Sequence, residues 1–245
     1  MDEDLDALVR RVDEDRWLAS RFAPPDVRAR LIALYALNHE IARVAETVKT
    51  AAVGDIRLAW WREALAEVHA GAPLRPHPML AAYAQAHTQM PFPAEVMERL
   101  IDARRRDLDA DPFAAAAERS DYLDATAGGL MRLAIAACGG IAGEHVAPAA
   151  QAWGCAGLLR AEPSWRARGR SVLAPGETLE VLEERARAAV VELRALPKAR
   201  ANIFPGIGYV ALTPLYLDAL KRKRADVPLL RRHLALVAAA ATGRF

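Results

Sequence analysis

Between Leu34 and Glu46 the chain reads Leu-Tyr-Ala-Leu-Asn-His-Glu-Ile-Ala-Arg-Val-Ala-Glu, a helical run of mainly apolar residues that carries an amide, an imidazole and two carboxylates. Side chains four apart on a helix share a face, so Ala42 and Glu46 look the same way, while Glu40 shares a neighbouring stripe with Val44. A helix that holds Mg²⁺ for a diphosphate substrate presents two carboxylates one turn apart. Position 42 is alanine, so Glu46 lacks a partner on its face.

At 245 residues the chain buries a large core, and a single domain spanning residues 1–245 is expected. Hydrophobic residues make up 53% and aromatics only 6%, so alanine and leucine carry the apolar share. That composition favours helices packed closely through small side chains, and the predicted class is all-α. The net charge of +2 leaves no nucleic-acid footprint. Arginine far outnumbers lysine, a codon bias of GC-rich genomes that points to a bacterial source. Cys138 and Cys155 lack zinc-site spacing and read as buried free thiols. The acidic start, Met-Asp-Glu-Asp-Leu-Asp, has neither a signal-peptide nor a transit-peptide layout, and no apolar run reaches the roughly eighteen residues that span a bilayer. The expected location is cytoplasmic, with peripheral contact at the inner face of the membrane as the other option.

Helical periodicity predicts a first amphipathic helix over residues 2–19, stopped by Phe22-Ala-Pro-Pro25. Asp26 is the expected cap of a second helix that runs to about Val48. A third helix is expected from Asp55 to about Ala70, containing the adjacent Trp60 and Trp61, one for the core and one for a helix seam. Further helices follow at 79–89, 94–108 and 121–138; the last contains Ala127-Gly128-Gly129, which weakens a helix unless a kink or a close backbone approach requires it. The remaining helices are expected at 147–160, where Pro163 is the stop, then at 177–196, 208–222 and 228–241. The charged cluster from Asp102 to Asp109 reads as a solvated face, and the basic run Lys221-Arg-Lys-Arg224 reads either as a solvated helix end or as a site of attraction for anionic lipid.

The frame Ala33-Leu-Tyr-Ala-Leu-Asn-His-Glu-Ile-Ala-Arg-Val-Ala-Glu46 resembles the first aspartate-rich helix of the squalene/phytoene synthase family, roughly L-Y-A-F-x-R-x-x-D-D-x-x-D. Aligned without a gap, Ala42 and Arg43 fall on the paired aspartates and Glu46 on the last. The second motif of that family, N-x-x-R-D-x-x-x-D followed by G-R-x-x-L-P, is similar to Gly157-Leu-Leu-Arg160-Ala161-Glu-Pro-Ser-Trp165 and Gly169-Arg170-Ser-Val-Leu173. Ala161 and Trp165 then stand at aspartate positions. The Trp-Trp pair resembles a subgroup of the family similar to the assembly factor of mitochondrial respiratory complex I. The helix around Asp102 and Arg105 resembles the charged helix of the family, which sets either residue as a pocket-facing alternative.

The resemblance implies an isoprenoid synthase-type helical bundle around a central cavity, whose active members join prenyl diphosphates with Mg²⁺. With Ala42, Ala161 and Trp165 at aspartate positions, the expectation is a pseudoenzyme without catalytic or metal-binding residues and without a cofactor. Its vestigial pocket is set at Tyr35, Asn38, Glu40, Arg43, Glu46, Tyr122, Arg160 and Arg170. The implied partners are an isoprenoid or other lipid and a respiratory-complex assembly partner. The alternative is an active prenyltransferase that binds Mg²⁺ through Glu40, Glu46, Asp102 or Asp107. Asn38, Glu40, Arg43 and Glu46 are expected to converge with Arg160. Arg43 is expected to pair with Glu40 or Glu46, and breaking such a pair costs about 3–5 kcal/mol if it is fully buried.

Overall fold

The computed structural model describes residues 4–224 and 226–245, among which there are helices and no strands. Asp4 opens helix α1 (Leu5–Val12) by accepting hydrogen bonds from the backbone N–H groups of Asp6 and Ala7. The single helix expected over 2–19 is in fact two: Asp13, at φ −149° and ψ 62°, breaks it before α2 (Glu14–Ser20). Residues 2 and 3 of that expectation lie outside the described residues.

Helix α3 (Pro25–Ala42) starts on a proline, whose fixed φ suits the first turn. Asp26 is not its cap; the carboxylate instead holds Arg30 of the same helix at 3.2 Å. The helix also stops earlier than expected, at Arg43, and a short α4 (Val44–Thr47) follows. Thr50, not Asp55, caps α5 (Ala51–His69), and Gly54 lies inside that helix because Leu108 packs where its Cβ would be. Helices α6 (Pro78–Gln89) and α7 (Ala94–Arg104) match expectation, except that Arg105–Leu108 tightens into a 3₁₀ turn.

The helix expected over 121–138 is α8 (Ala116–Leu123) and α9 (Gly129–Ala137), joined by a π-helical turn over Asp124–Gly128. A Cβ on Gly128 would lie 3.2 Å from that of Ala150 and 2.9 Å from the Arg132 guanidinium, so the glycine serves both the kink and a close approach. Pro163 does not end α10 (Val146–Ala167). The proline sits near the solvent-exposed end of the helix, where water can take the carbonyl freed by its missing N–H. Helices α11 (Leu179–Ala195), α12 (Phe204–Ile207), α13 (Thr213–Lys221) and α14 (Leu229–Thr242) complete the chain.

Two long helices organise the interior. α3 is buried on every side over Leu31–Leu37 and packs against α1, α6 and α9, as befits a helix that is apolar all round. α10 packs along α11 and the π turn, with Ala149, Ala150, Ala152 and Ala156 letting the backbones approach. Trp61 is buried in the α3 core while Trp60 covers it edge-on, ring centroids 4.9 Å apart. Contrary to expectation, one stretch, Ala201–Lys221, is long and apolar enough to cross a bilayer; 67% of its most apolar part is buried in the fold, in broken helical turns against α2, α9 and α10.

Candidate functional site

The break at Asp13 aims Arg16 inward, between α3 and α10. Its guanidinium pairs with Asp13 at 2.5 Å and stands 4.7 Å from the Tyr209 ring centroid and 6.0 Å from those of Tyr35 and Trp153. Burial opposes the charge, but Asp13 and then Tyr209 outweigh it, and the arginine is held more firmly protonated than usual. Tyr35 donates to the carbonyl of Gly206 at 3.3 Å, and burial pushes its hydroxyl well above the usual tyrosine range. One turn on, Asn38 is buried with Oδ1 accepting no hydrogen bond from the protein, and Arg16 Nε is likewise buried without an acceptor. Buried polar atoms are ordinarily partnered, so both mark an interior that the protein's own groups leave unsatisfied.

A second polar cluster adjoins α10. Tyr122 donates to Asp107 at 2.7 Å, and Arg104 reaches both Asp107 and the Tyr122 hydroxyl at 3.2 Å. Burial, then the charge of Asp107, raises the tyrosine's pKa. Beside it, Trp165 stacks on Phe113 with centroids 6.4 Å apart and planes 20° apart. Arg170 lies 4.6 Å over the Trp165 ring and donates to the carbonyl of Arg106 at 3.2 Å. Burial lowers the pKa of Arg170. At the second-motif helix, then, an aromatic stack stands where the resemblance sets a carboxylate.

The eight residues chosen from sequence do not form one cluster. Tyr35 and Asn38 face the interior, and Tyr122 and Arg170 belong to the second group. Glu40 and Arg43 pair with each other at 3.2 Å, their side chains 26% and 44% exposed, and line an outer groove of about 390 Å³ with Arg57, Trp60, Trp61 and His77. The buried ion pair expected of Arg43 is therefore a surface one, because α3 ends there and turns the side chain outward. Glu46, 63% exposed, lies 3.8 Å from Arg168, which ties the end of the first-motif segment to the end of α10. Arg160 sits apart from these, 3.9 Å over Tyr216 and 4.0 Å from Asp15. Asp102 and Arg105 make surface pairs with Arg62 and Asp55 of α5 at 3.2 and 2.9 Å, and the four line a small outer groove of about 180 Å³ away from the interior clusters.

Of the positions that the resemblance sets at aspartates, Ala42, Arg43, Ala161 and Trp165 offer no side-chain oxygen ligand and Glu46 does. Among the described residues no three His, Cys, Asp or Glu side chains come together as a metal site requires. Both cysteines are free and buried, and burial pushes Cys138 up to about 12 and Cys155 up to about 11. Sequence reasoning missed Asp13, Arg16, Arg104, Trp153 and Tyr209. Its one usable signal was Asp13-Glu-Asp-Arg16, four charges in a row where an amphipathic helix needs only two or three outward.

A helical bundle with two long interior helices, each carrying one half of a familiar pair of motifs, defines a class: residues 9–183 match the squalene/phytoene synthase family, and the chain belongs to it. Among curated proteins it is similar to the mouse NADH dehydrogenase (ubiquinone) complex I, assembly factor 6, 28% identical over 172 residues, or 69% of this chain and 51% of that protein. The human counterpart is 26% identical over 172 residues, again 69% and 51%. The matched region thus spans about half the length of these relatives. Among solved structures, squalene synthase HpnC from Alicyclobacillus acidocaldarius superposes with a TM-score of 0.69 at 20% identity, covering 98% of this chain and 92% of that one. A dehydrosqualene synthase in complex with ligand gives 0.73 at 12% identity, covering 97% and 94%. At such identities the two share the fold.

Proposed function

We propose that this protein is a non-catalytic member of the squalene/phytoene synthase family that serves the assembly of respiratory complex I and keeps its interior for a lipid. The observation that carries the reading is the closure of the second motif: Trp165, stacked on Phe113 beneath Arg170, takes the place of a magnesium-binding carboxylate. Ala42, Arg43 and Ala161 agree with it, and so does the exposed Glu46, whose nearest cation is Arg168. These residues do not suit a magnesium–diphosphate centre, where departing negative charge must be offset by metal. The likeness to complex I assembly factor 6 supports the assembly role. The headgroup of such a lipid would meet Asn38 Oδ1 and Arg16 Nε, buried atoms without a protein partner.

Two measurements test this. Purified protein given farnesyl or geranylgeranyl diphosphate, Mg²⁺ and a reductant is expected to release no pyrophosphate above background. Steady turnover that disappears in Glu46→Gln would replace the reading with that of an active prenyltransferase. Deleting the gene in its host is expected to lower the amount of assembled complex I on native gels, and an unchanged amount would end the assembly role.

A further inference from the structure

Helix α14 carries no acidic residue and turns two unlike faces in opposite directions. Arg232, Leu236 and Ala239 are buried, and the helix packs on the 3₁₀ turn Gly208–Leu212. Leu230, Leu234 and Val237 are 69%, 60% and 47% exposed. With Ala241 they recur at spacings of four, three and four, which at helical periodicity keeps them within an arc of about 60° opposite the buried stripe.

Loose packing does not explain this exposure. Arg232 is held by Asp15 at 3.0 Å and by Glu14 at 2.5 Å, while Tyr216 donates to Asp15 at 2.6 Å. The far end is closed by Gly243 in the left-handed region, whose carbonyl accepts from Ala199 N–H at 3.0 Å, and Arg194 holds the carbonyl of Phe245.

Exposed cations flank both ends of the stripe. Lys221, Arg222, Lys223, Arg224 and Arg231 stand at its start around the exposed Asp226, and Lys198, Arg200 and Arg244 at its end. Lys223 adds an independent observation. Its φ of +55° is left-handed, and it closes α13 with Lys223 N–H on Leu220 O at 2.8 Å and Arg224 N–H on Ala219 O at 2.9 Å. Glycine fills this position more easily, and here a cation occupies it.

We propose that the outer face of α14 docks on an anionic phospholipid bilayer. The apolar stripe enters the headgroup–acyl boundary, with the helix lying in the plane of the surface, and the cations at its two ends meet lipid phosphates. The face shares no side chain with the interior clusters, so this holds or fails independently of the assembly reading.

Co-sedimentation of the full chain with vesicles decides it. The chain is expected to pellet with vesicles of equal parts phosphatidylcholine and phosphatidylglycerol, to stay in solution with phosphatidylcholine alone, and to be released as salt rises. The variant with Leu230→Glu and Leu234→Glu, both exposed and so compatible with folding, is expected to lose binding more than tenfold. Lys223→Gly relieves the backbone, so its melting temperature should hold or rise while binding falls roughly fivefold, the weight of one cation at such a surface. Equal pelleting with both vesicle types, no pelleting with either, or full binding by the leucine variant would overturn the proposal. So would a dimer in sedimentation equilibrium that the leucine variant dissolves without any vesicle binding, since a second copy would then cover the face.

Discussion

The two helices that carry the motif-like frames are finished in opposite ways. The first, α3 with α4, ends on the surface: Arg43 and Glu40 form an exposed pair and Glu46 reaches toward Arg168 across 3.8 Å. The second, α10 with the loop after it, is closed from within by Trp165, Phe113 and Arg170, and its loop is fastened by Glu177 to the buried Arg119. A side chain at a helix end that reaches solvent is held by little, whereas one set against the core is a packing position. Substitutions should therefore weigh heavily on the second helix and lightly on the first.

The largest effect is expected at the loop. Arg119 is buried and holds Glu177 through two N–O contacts, one of 2.9 Å, while Ala174 N–H donates to the same carboxylate at 3.0 Å. Glu177→Gln should destabilise by about 3–5 kcal/mol in chemical denaturation, because it leaves a buried guanidinium without its counter-charge. The pair also predicts an acid limb. Hydrogen bonding from Arg119 holds Glu177 down at about 2 against its ordinary 4.5. A depressed folded-state pKa gives stability that is complete above the unfolded value and lost as pH falls through the folded one. The wild type should therefore lose this contribution between about pH 4.5 and pH 2, and Glu177→Gln should show a flatter profile there.

Trp165→Ala comes next, at about 2–3 kcal/mol, below the range for a fully buried tryptophan because the ring is only partly covered. Tyr122→Phe should cost about 1–2 kcal/mol by taking a donor from Asp107 and an acceptor from Arg104. On the first helix, Arg43→Ala should cost under about 1 kcal/mol, as exposed pairs do. Arg187→Ala is its match: Arg187 pairs with Glu183 at 2.8 Å and Asp218 at 3.2 Å with 39% of its side chain exposed. A loss at Arg43 several times larger than at Arg187 would erase the contrast between the helices.

The apolar runs were readable because helical packing needs nothing beyond periodicity: Leu31 to Leu37 and Ala149, Ala150, Ala152 and Ala156 of α10 sit in the core. Boundaries were less readable where a local rule met a tertiary demand. Asp13 breaks an amphipathic pattern that would otherwise have continued, Pro163 is tolerated because its freed carbonyl lies near water, and Gly54 answers to Leu108, which is distant in sequence. The site was half visible. Tyr35, Asn38, Tyr122 and Arg170 stood out because motif frames point to them, while Arg16 and Arg104 look like ordinary surface charges until Asp13 and Asp107 turn up beside them inside the fold.

The π turn between α8 and α9 has a consequence for how this protein can change its length. A π turn is an α-helix with one residue too many, and each residue of an α-helix advances the azimuth by about 100°. Because the turn takes in its extra residue locally, removing Ala127 would restore regular winding with nearly the same azimuth between Tyr122 and Leu130. Tyr122 would stay in reach of Asp107, and Arg119 in reach of Glu177. The turn is thus the place where this chain can lose one residue without moving two distant polar contacts, whereas a deletion in the regular α9 would rotate its two sides by about 100° against each other.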